Sequence, residues 1–393
     1  MAASMPPCAT PSWAPCKCGA SIVTSPNALD PFISWDDQSW AMDAWVPGVA
    51  RIILTHAHLD HVPTTFQHGE QQSPLGSKST PMILTSLPTR SLLAARGIML
   101  PPGPSLIFGE TSSPTPFQGS SLQVTSIASG HMEGAASLYF RHQETGTSLF
   151  YAGEFYPVVH GILPGLDPRN TTTLICESTY GHPDWDHPPP GVAERQLRDA
   201  VADFAKQGPV MVAGYAGGKM ARIVEILAGL ALPFIVSPEF AREWAVLQEM
   251  KEWQSLDQSD PPITIYTRSQ LRGSKGKEIR RRAVYLVQPR DLLSMKNQED
   301  LANAPSVLCG GRVLDPQYRA EHPATTYVPL RDHPTYIELL NFVKACHPEE
   351  VFVLPGQELS LCWAIRHELG IECNPFRTPH PSGLPNLPFL FSG

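Results

Sequence analysis

The pattern of apolar residues changes near residue 185, and this change most constrains what the chain can fold into. Before it, short runs such as "ARIILTH", "PMILTS" and "SLFYAGE" are apolar, partly β-branched and separated by Gly, Pro and Ser, as strands and turns are. After it, helical and strand-like segments alternate, beginning with the amphipathic stretch "VAERQLRDAVADFAKQG". The first pattern predicts a layered α/β sandwich, and the alternation predicts a parallel αβα unit over about residues 185–325.

Composition sets limits on the class of protein. The chain has 393 residues, enough for roughly two compact units, and 42% of them are apolar. A net charge of −8 argues against a protein coated with basic charge, although a local basic groove can still bind nucleic acid. No apolar run reaches the ~18 residues that a membrane span needs. The N-terminus lacks a secretory signal pattern, so we expect an intracellular protein, nuclear in a eukaryote and cytoplasmic otherwise.

The segment "THAHLDH" follows a strand-like run and concentrates metal-ligand side chains. His56, His58, Asp60 and His61 fall within six positions of a chain that has 14 histidines. Imidazole and carboxylate groups suit zinc-like ions. A single histidine in an apolar setting is usually a hydrogen-bonded core residue, but four such side chains at this spacing favour a metal site.

Further candidates lie where other strand-like runs end. His131 in "SGHMEGAA" and Glu154 in "YAGEF" take such positions, where an isolated polar residue is usually no more than a loop residue. In "YAGGKMARIVEIL", Gly217, Gly218 and Lys219 open a helix, which suits either phosphate binding or a plain tight turn.

The segment 268–282, "RSQLRGSKGKEIRRR", is strongly basic and includes Arg280, Arg281 and Arg282. It is typical of a solvated loop, and the alternative is contact with a polyanion.

The motifs "THAHLDH", "SGHMEGAA" and "YAGEF" together resemble the successive motifs of the metallo-β-lactamase fold. The resemblance implies an αββα sandwich with two zinc ions, or manganese as the alternative. It assigns one ion to His56, His58 and His131, and the other to Asp60 and His61. Glu154 falls where the family has a bridging aspartate, and Asp30 resembles the family's early aspartate, which orients the site.

Later segments resemble the β-CASP branch of that fold, whose members hydrolyse nucleic acids. "ESTYG" provides Glu177, implied to hydrogen-bond a late ligand, and "RDHP" provides His333, implied to complete the second metal site. Residues 185–325 would be the inserted αβα cap, with the lactamase domain over 21–184 and 326–375. We expect disorder over 1–20 and a tail over 376–393. Pro355 stands where the family's RNA enzymes have histidine and several DNA enzymes have valine.

The resemblance implies a metal-dependent phosphodiesterase that acts on DNA or RNA. In layout the chain is closest to ligase-associated DNA exonucleases, followed by cross-link-repair nucleases of the Artemis type. We expect a DNA 5′-exonuclease of DNA repair or processing, with Asp60, Glu177 and His333 in catalytic roles and a ligase or other processing protein as partner. The alternatives are an RNA-processing endonuclease of the cleavage-and-polyadenylation type, a non-catalytic scaffold subunit and a small-molecule hydrolase.

Overall fold

A computed structural model describes residues 12–24, 32–35, 38–44, 49–67, 81–109, 111–112, 121–250, 253–254 and 262–376. The strands are β1 (Ser12–Pro15), β2 (Ser21–Thr24), β3 (Phe32–Trp35), β4 (Gln38–Met42), β5 (Arg51–Ile53), β6 (Met82–Ser86), β7 (Ser105–Leu106), β8 (Thr111–Ser112), β9 (Leu122–Ala128), β10 (Ala136–His142), β11 (Ser148–Gly153), β12 (Thr173–Ser178), β13 (Val210–Ala213), β14 (Phe234–Val236), β15 (Ile265–Thr267), β16 (Val284–Val287), β17 (Ser306–Cys309), β18 (Thr326–Val328), β19 (Glu350–Gly356) and β20 (Glu372–Pro375). The α-helices are α1 (Thr64–Gln67), α2 (Leu87–Ala95), α3 (Pro190–Ala205), α4 (Gly218–Leu227), α5 (Pro238–Glu249), α6 (Gly273–Arg280), α7 (Leu292–Met295), α8 (Pro316–Glu321), α9 (Tyr336–Cys346) and α10 (Glu358–Ala364).

Two seven-stranded sheets face each other. Their strand orders are β1-β2-β3-β4-β5-β6-β7 and β20-β19-β12-β11-β10-β9-β8. Successive residues of β5 point into different apolar cores: Ile53 lies between the two sheets, while Ile52 faces the core shared with α2. Trp40 and Phe140 meet across the inner core, with ring centroids 5.7 Å apart. Helices α9 and α10 cover the outer face of the second sheet, which completes an αββα sandwich.

A third sheet, formed after residue 185, is parallel throughout, in the order β15-β14-β16-β13-β17-β18. Helices α3, α4 and α5 cover one of its faces, and a second apolar cluster covers the other. The first of these clusters is continuous with the outer core of the sandwich, so the inserted unit packs directly on it. This arrangement confirms the predicted fold class, an αββα sandwich with an inserted αβα unit.

The limits of the units differ in two places from those expected. Residues 12–20, which the sequence analysis assigned to a disordered N-terminus, instead contribute β1 and the turn that follows it. Strand β18 belongs to the third sheet, so that sheet continues past residue 325. Residues 1–11 and 377–393 lie outside the described ranges. Within these ranges no helix combines the length and the apolar character needed to cross a membrane.

Candidate metal centre

The histidine-rich segment lies directly beyond β5, at the edge of the sandwich that faces the inserted unit. His56 is buried, His58 is half-buried, and Leu59–His61 form a single 3-10 turn. Parallel pairing of β5 with β4 and β6 fixes where this segment leaves the sheet. The turn then brings His61 back towards His56, with ring centroids 4.2 Å apart.

The ends of two strands of the opposite sheet bring His131 and Glu154 to the same point. His58 Nδ1 lies 3.1 Å from both His56 Nε2 and His131 Nε2. Glu154 Oε2 lies 3.2 Å from His56 Nε2 and 3.1 Å from His131 Nε2. The other oxygen of this carboxylate, Oε1, lies 3.2 Å from His61 Nε2. We call His56, His58 and His131 the three-histidine group. Glu154 lies between this group and His61, with one carboxylate oxygen towards each.

Hydrogen bonds on the outer side fix the ring tautomers of His56 and His61. Asp43 Oδ2 accepts a hydrogen bond from the Thr55 hydroxyl, 2.5 Å away, so the hydroxyl oxygen is left to accept from His56 Nδ1 at 2.9 Å. Asp43 Oδ2 also lies 3.2 Å from His61 Nδ1. Because both outer nitrogens face acceptors, they carry the proton, and both Nε2 atoms present lone pairs inward.

The same reasoning applies to His131 and His333. His131 Nδ1 lies 3.0 Å from the Asp332 carbonyl oxygen, which can only accept. His333 Nδ1 lies 2.9 Å from Glu177 Oε2, while Oε1 of that carboxylate also accepts from the Phe155 amide. Glu177 therefore contacts His333 rather than the three-histidine group. Such outer partners are what orient histidine ligands in metal sites.

Burial and charge set the protonation of this cluster. Burial, followed by the neighbouring histidines, lowers the pKa of His56 and His58. Burial alone would raise the pKa of Glu154, but His61, His131 and His56 hold it well below its usual range. Burial also acts to lower the pKa of His333, yet the Glu177 carboxylate outweighs it and raises this pKa to about 9. His56 and His58 are therefore neutral imidazoles beside an ionised Glu154 carboxylate, whereas His333 keeps its proton at neutral pH because of Glu177.

These atoms fit a metal ion. Lone pairs of His56 Nε2 and His131 Nε2 lie about 3 Å from an ionised Glu154 oxygen, and such acceptors repel each other unless a cation lies among them. His56, His58, His131 and Glu154 could together hold a metal ion, and three imidazoles with one carboxylate are a zinc-type set. Asp43, His56 and His61 form a second such group, although the Asp43 contacts described above lie behind the rings.

Asp60 is the least enclosed of the predicted ligands. Its side chain is 56% exposed, and its Oδ2 lies 4.0 Å from His61 Nε2. His333 packs beside the three-histidine group, with its ring centroid 4.6 Å from that of His131. The structure therefore brings all seven predicted metal ligands to one cleft, with Asp60 at its open side.

The glycine turn before α4 reaches the metal centre, but its lysine does not face solvent. A Cβ atom added to Gly217 would lie 3.3 Å from His58 Nε2. An added Cβ at Gly218 would lie 2.7 Å from the Met132 side chain. Lys219 is buried, and its Nζ lies 2.6 Å from Asp332 Oδ1 and donates to the Leu330 carbonyl at 3.0 Å. The substrate contact predicted for Lys219 is corrected here, because its ammonium group is committed within the protein.

The predicted contact of the three arginines with substrate at the metal cleft is also corrected. Arg281 and Arg282 are exposed just before β16, whose first residue pairs with the first residue of β13. The turn containing Gly217 follows the opposite end of β13, roughly 13 Å away for four residues of strand. Arg280 lies with them, and its Nε is 3.2 Å from an Asp300 carboxylate oxygen.

Sequence reasoning missed two aspartates of the site, Asp43 and Asp332. The predicted early aspartate, Asp30, lies outside the described residues, while Asp43 contacts His61. A polar residue that ends a buried strand such as β4 is the signal that was available for Asp43.

The chain is similar to parts of two known proteins, a probable DNA ligase and a transcription termination factor. No protein-family model matches the chain. The chain is 26% identical over 338 residues to a probable DNA ligase of Opitutus terrae, an alignment that covers 85% of this chain and 29% of that protein. It is 25% identical over 194 residues to the transcription termination factor FttA of Methanosarcina mazei, covering 45% of this chain and 30% of the factor. The chain thus spans less than a third of the length of either relative.

Proposed function

We propose that this chain is a two-zinc phosphodiesterase that hydrolyses nucleic acid, with manganese as the alternative metal. The observation that carries the proposal is the convergence of His56 Nε2 and His131 Nε2 on one Glu154 oxygen, with His58 Nδ1 3.1 Å from both of these nitrogens. His61 Nε2 lies at the other Glu154 oxygen. One ion would be held by His56, His58 and His131, and the second by Asp60, His61 and His333, with Glu154 between them. Divalent ions so held would supply Lewis-acid activation of water and neutralise charge on the phosphodiester.

The chain's own residues orient this set. Glu177 holds the His333 ring with Nε2 inward, and the Asp332 carbonyl does the same for His131. Asp60, which is 56% exposed at the open side, would accept the proton of the attacking water. Packing of the inserted cap beside His58 would exclude solvent from one side of the cleft.

DNA is the proposed substrate, in a 5′-exonuclease reaction. The similarity to a probable DNA ligase covers 85% of this chain, against 45% for the termination factor. Pro355 directly follows the buried part of β19, beside the strand that carries Glu177, and a proline can neither ligate a metal nor donate a hydrogen bond there. The match to part of a ligase also supports a ligase as partner, testable by co-purification of the two proteins. An RNA endonuclease is the second candidate, favoured by the match to FttA.

Metal analysis and a substrate panel test the proposal. The purified protein should carry about two equivalents of zinc and cleave a 5′-phosphorylated DNA strand faster than RNA of the same sequence. His58→Ala should lose metal and at least 100-fold of the activity, whereas His367→Ala, exposed on the far side of the sandwich, should match the wild type. Faster cleavage of RNA would favour the RNA endonuclease. A protein with neither bound metal nor cleavage activity would favour the remaining alternative, a non-catalytic scaffold subunit.

A further inference from the structure

Most cations around the metal cleft are paired with carboxylates. The pairs are Lys219 with Asp332, Arg331 with Glu338, Arg96 with Glu243, and Arg222 with Glu194 and Glu225. Arg312 is different, since it makes no ion pair and no side-chain hydrogen bond with any residue that the structure describes. Two carboxylates nearby in sequence are engaged elsewhere: Asp315 accepts from the Gln317 amide, and Glu321 accepts from the Gln317 side chain.

The fold holds Arg312 beside the metal centre. Its neighbour Gly311 packs so closely on Tyr180 that an added Cβ would lie 1.9 Å from the Tyr180 hydroxyl oxygen. The Tyr180 ring meets the His333 ring edge-on, with centroids 5.8 Å apart. The Gly311 carbonyl is also fixed, because it lies 3.1 Å from His187 Nε2. Tyr180 therefore lies between Gly311, the residue before Arg312, and the proposed ligand His333.

A buried tyrosine links this arginine to an exposed tyrosine. The Arg312 guanidinium sits over the ring of Tyr318, 4.8 Å from its centroid. The Tyr318 hydroxyl is 2.9 Å from the Tyr215 hydroxyl, and Tyr215 is 41% exposed. Tyr215 belongs to the turn that also carries Gly217, which approaches His58. Tyr318 thus joins the half-buried Arg312 to the exposed Tyr215 at the cap side of the cleft.

We propose that Arg312 and Tyr215 form a polynucleotide subsite at the mouth of the metal cleft. Arg312 binds a backbone phosphate next to the reacting one, and Tyr215 stacks on the adjoining nucleoside. A guanidinium with no carboxylate partner presents the fork of donors that matches phosphate oxygens. An exposed aromatic ring accepts a base without regard to its identity. The assignment rests on the proposed function and gives the chain a phosphate contact in place of those predicted at Lys219 and Arg280–Arg282.

The test compares binding of a hydrolysis-resistant phosphorothioate 12-nucleotide strand by Arg312→Gln, Tyr215→Ala, Tyr215→Phe and wild type, measured by fluorescence anisotropy against salt. Arg281→Gln is the matched control, an exposed arginine at the opposite end of the strands of the third sheet. Arg312→Gln should raise Kd about tenfold and reduce the salt slope by about 0.7, the value for one phosphate of a single strand. Tyr215→Ala should weaken binding roughly tenfold, while Tyr215→Phe, which keeps the ring, should stay within threefold.

Hydrolysis of bis(p-nitrophenyl) phosphate reports the metal centre separately, because this small diester has no neighbouring phosphate. Its kcat/KM should stay within twofold of wild type in Arg312→Gln. Equal Kd and salt slope in Arg312→Gln and Arg281→Gln would overturn the subsite, as would a loss of small-diester activity in Arg312→Gln. A wild-type protein that hydrolyses neither bis(p-nitrophenyl) phosphate nor an unmodified DNA or RNA strand would overturn the proposed function, and the binding comparison would still decide the subsite.

Discussion

Replacing Lys219 by methionine should destabilise the protein strongly. The Lys219 side chain is 5% exposed and that of Asp332 is 17% exposed, with Nζ and Oδ1 2.6 Å apart. Removing one member of a buried ion pair leaves the other charge buried without a partner, which lowers stability by about 3–5 kcal/mol. Because Asp332 retains some access to water, we expect the lower end, about 3 kcal/mol in the free energy of unfolding measured by urea denaturation. The loss should also weaken zinc binding, since the Asp332 carbonyl holds His131.

A double-mutant cycle separates the pair from general packing. Lys219→Met combined with Asp332→Asn removes both charges, and should recover about 1–2 kcal/mol of the loss relative to Lys219→Met alone. Additive single effects, or a Lys219→Met variant within about 0.5 kcal/mol of wild type, would refute the reasoning. That result would return Lys219 to the list of candidate substrate contacts.

Three other changes test separate parts of the structure. Burial lowers the pKa of His160 to about 4, so the unfolded chain binds its proton first and stability should fall by up to roughly 3 kcal/mol as pH drops from about 6.5 to 4. In His160→Gln, the free energy of unfolding measured in urea should decline less steeply over this pH range than in the wild type. An equally steep decline would show that His160 is not the group responsible. Gly311→Ala should lower the free energy of unfolding by about 1–3 kcal/mol, because the added methyl group would clash with the Tyr180 hydroxyl. Tyr180→Phe in the same chain should recover part of this loss, and no recovery would mean that the clash is with another group. Glu177→Gln should weaken binding of the second zinc roughly 10–100-fold in a chelator competition, because it weakens the hold on His333, and unchanged affinity would argue against that role.

The positions of the proposed ligands at strand ends could be predicted from the sequence, because each ligand follows an apolar run within a few residues. His56, His58 and His61 share one short loop, and His131 and Glu154 each end an apolar run, so strand geometry delivers them to the edge of the sandwich. The αββα layers followed from the same alternation of apolar and polar residues.

The surroundings of the metal centre could not be read in this way. Whether Lys219 faces solvent depends on Asp332, which lies far along the chain. Arg281 precedes β16 and lies at the amino ends of the strands, whereas the Gly217 turn follows β13 at their carboxyl ends, a difference that depends on the parallel pairing of β13 with β16. The sequence around Arg312 does not distinguish it from other arginines, because the proposed role depends on its having no carboxylate partner among the described residues.

X-ray absorption at the zinc edge of the purified, zinc-loaded protein tests the central claim most directly. The convergence of His56, His58, His131 and Glu154 predicts a shell of nitrogen and oxygen at about 2.0–2.1 Å with imidazole scattering. The chain has eight cysteines, so a thiolate site is a real competitor. A sulfur shell at about 2.3 Å, or failure to retain zinc, would contradict the site proposed here.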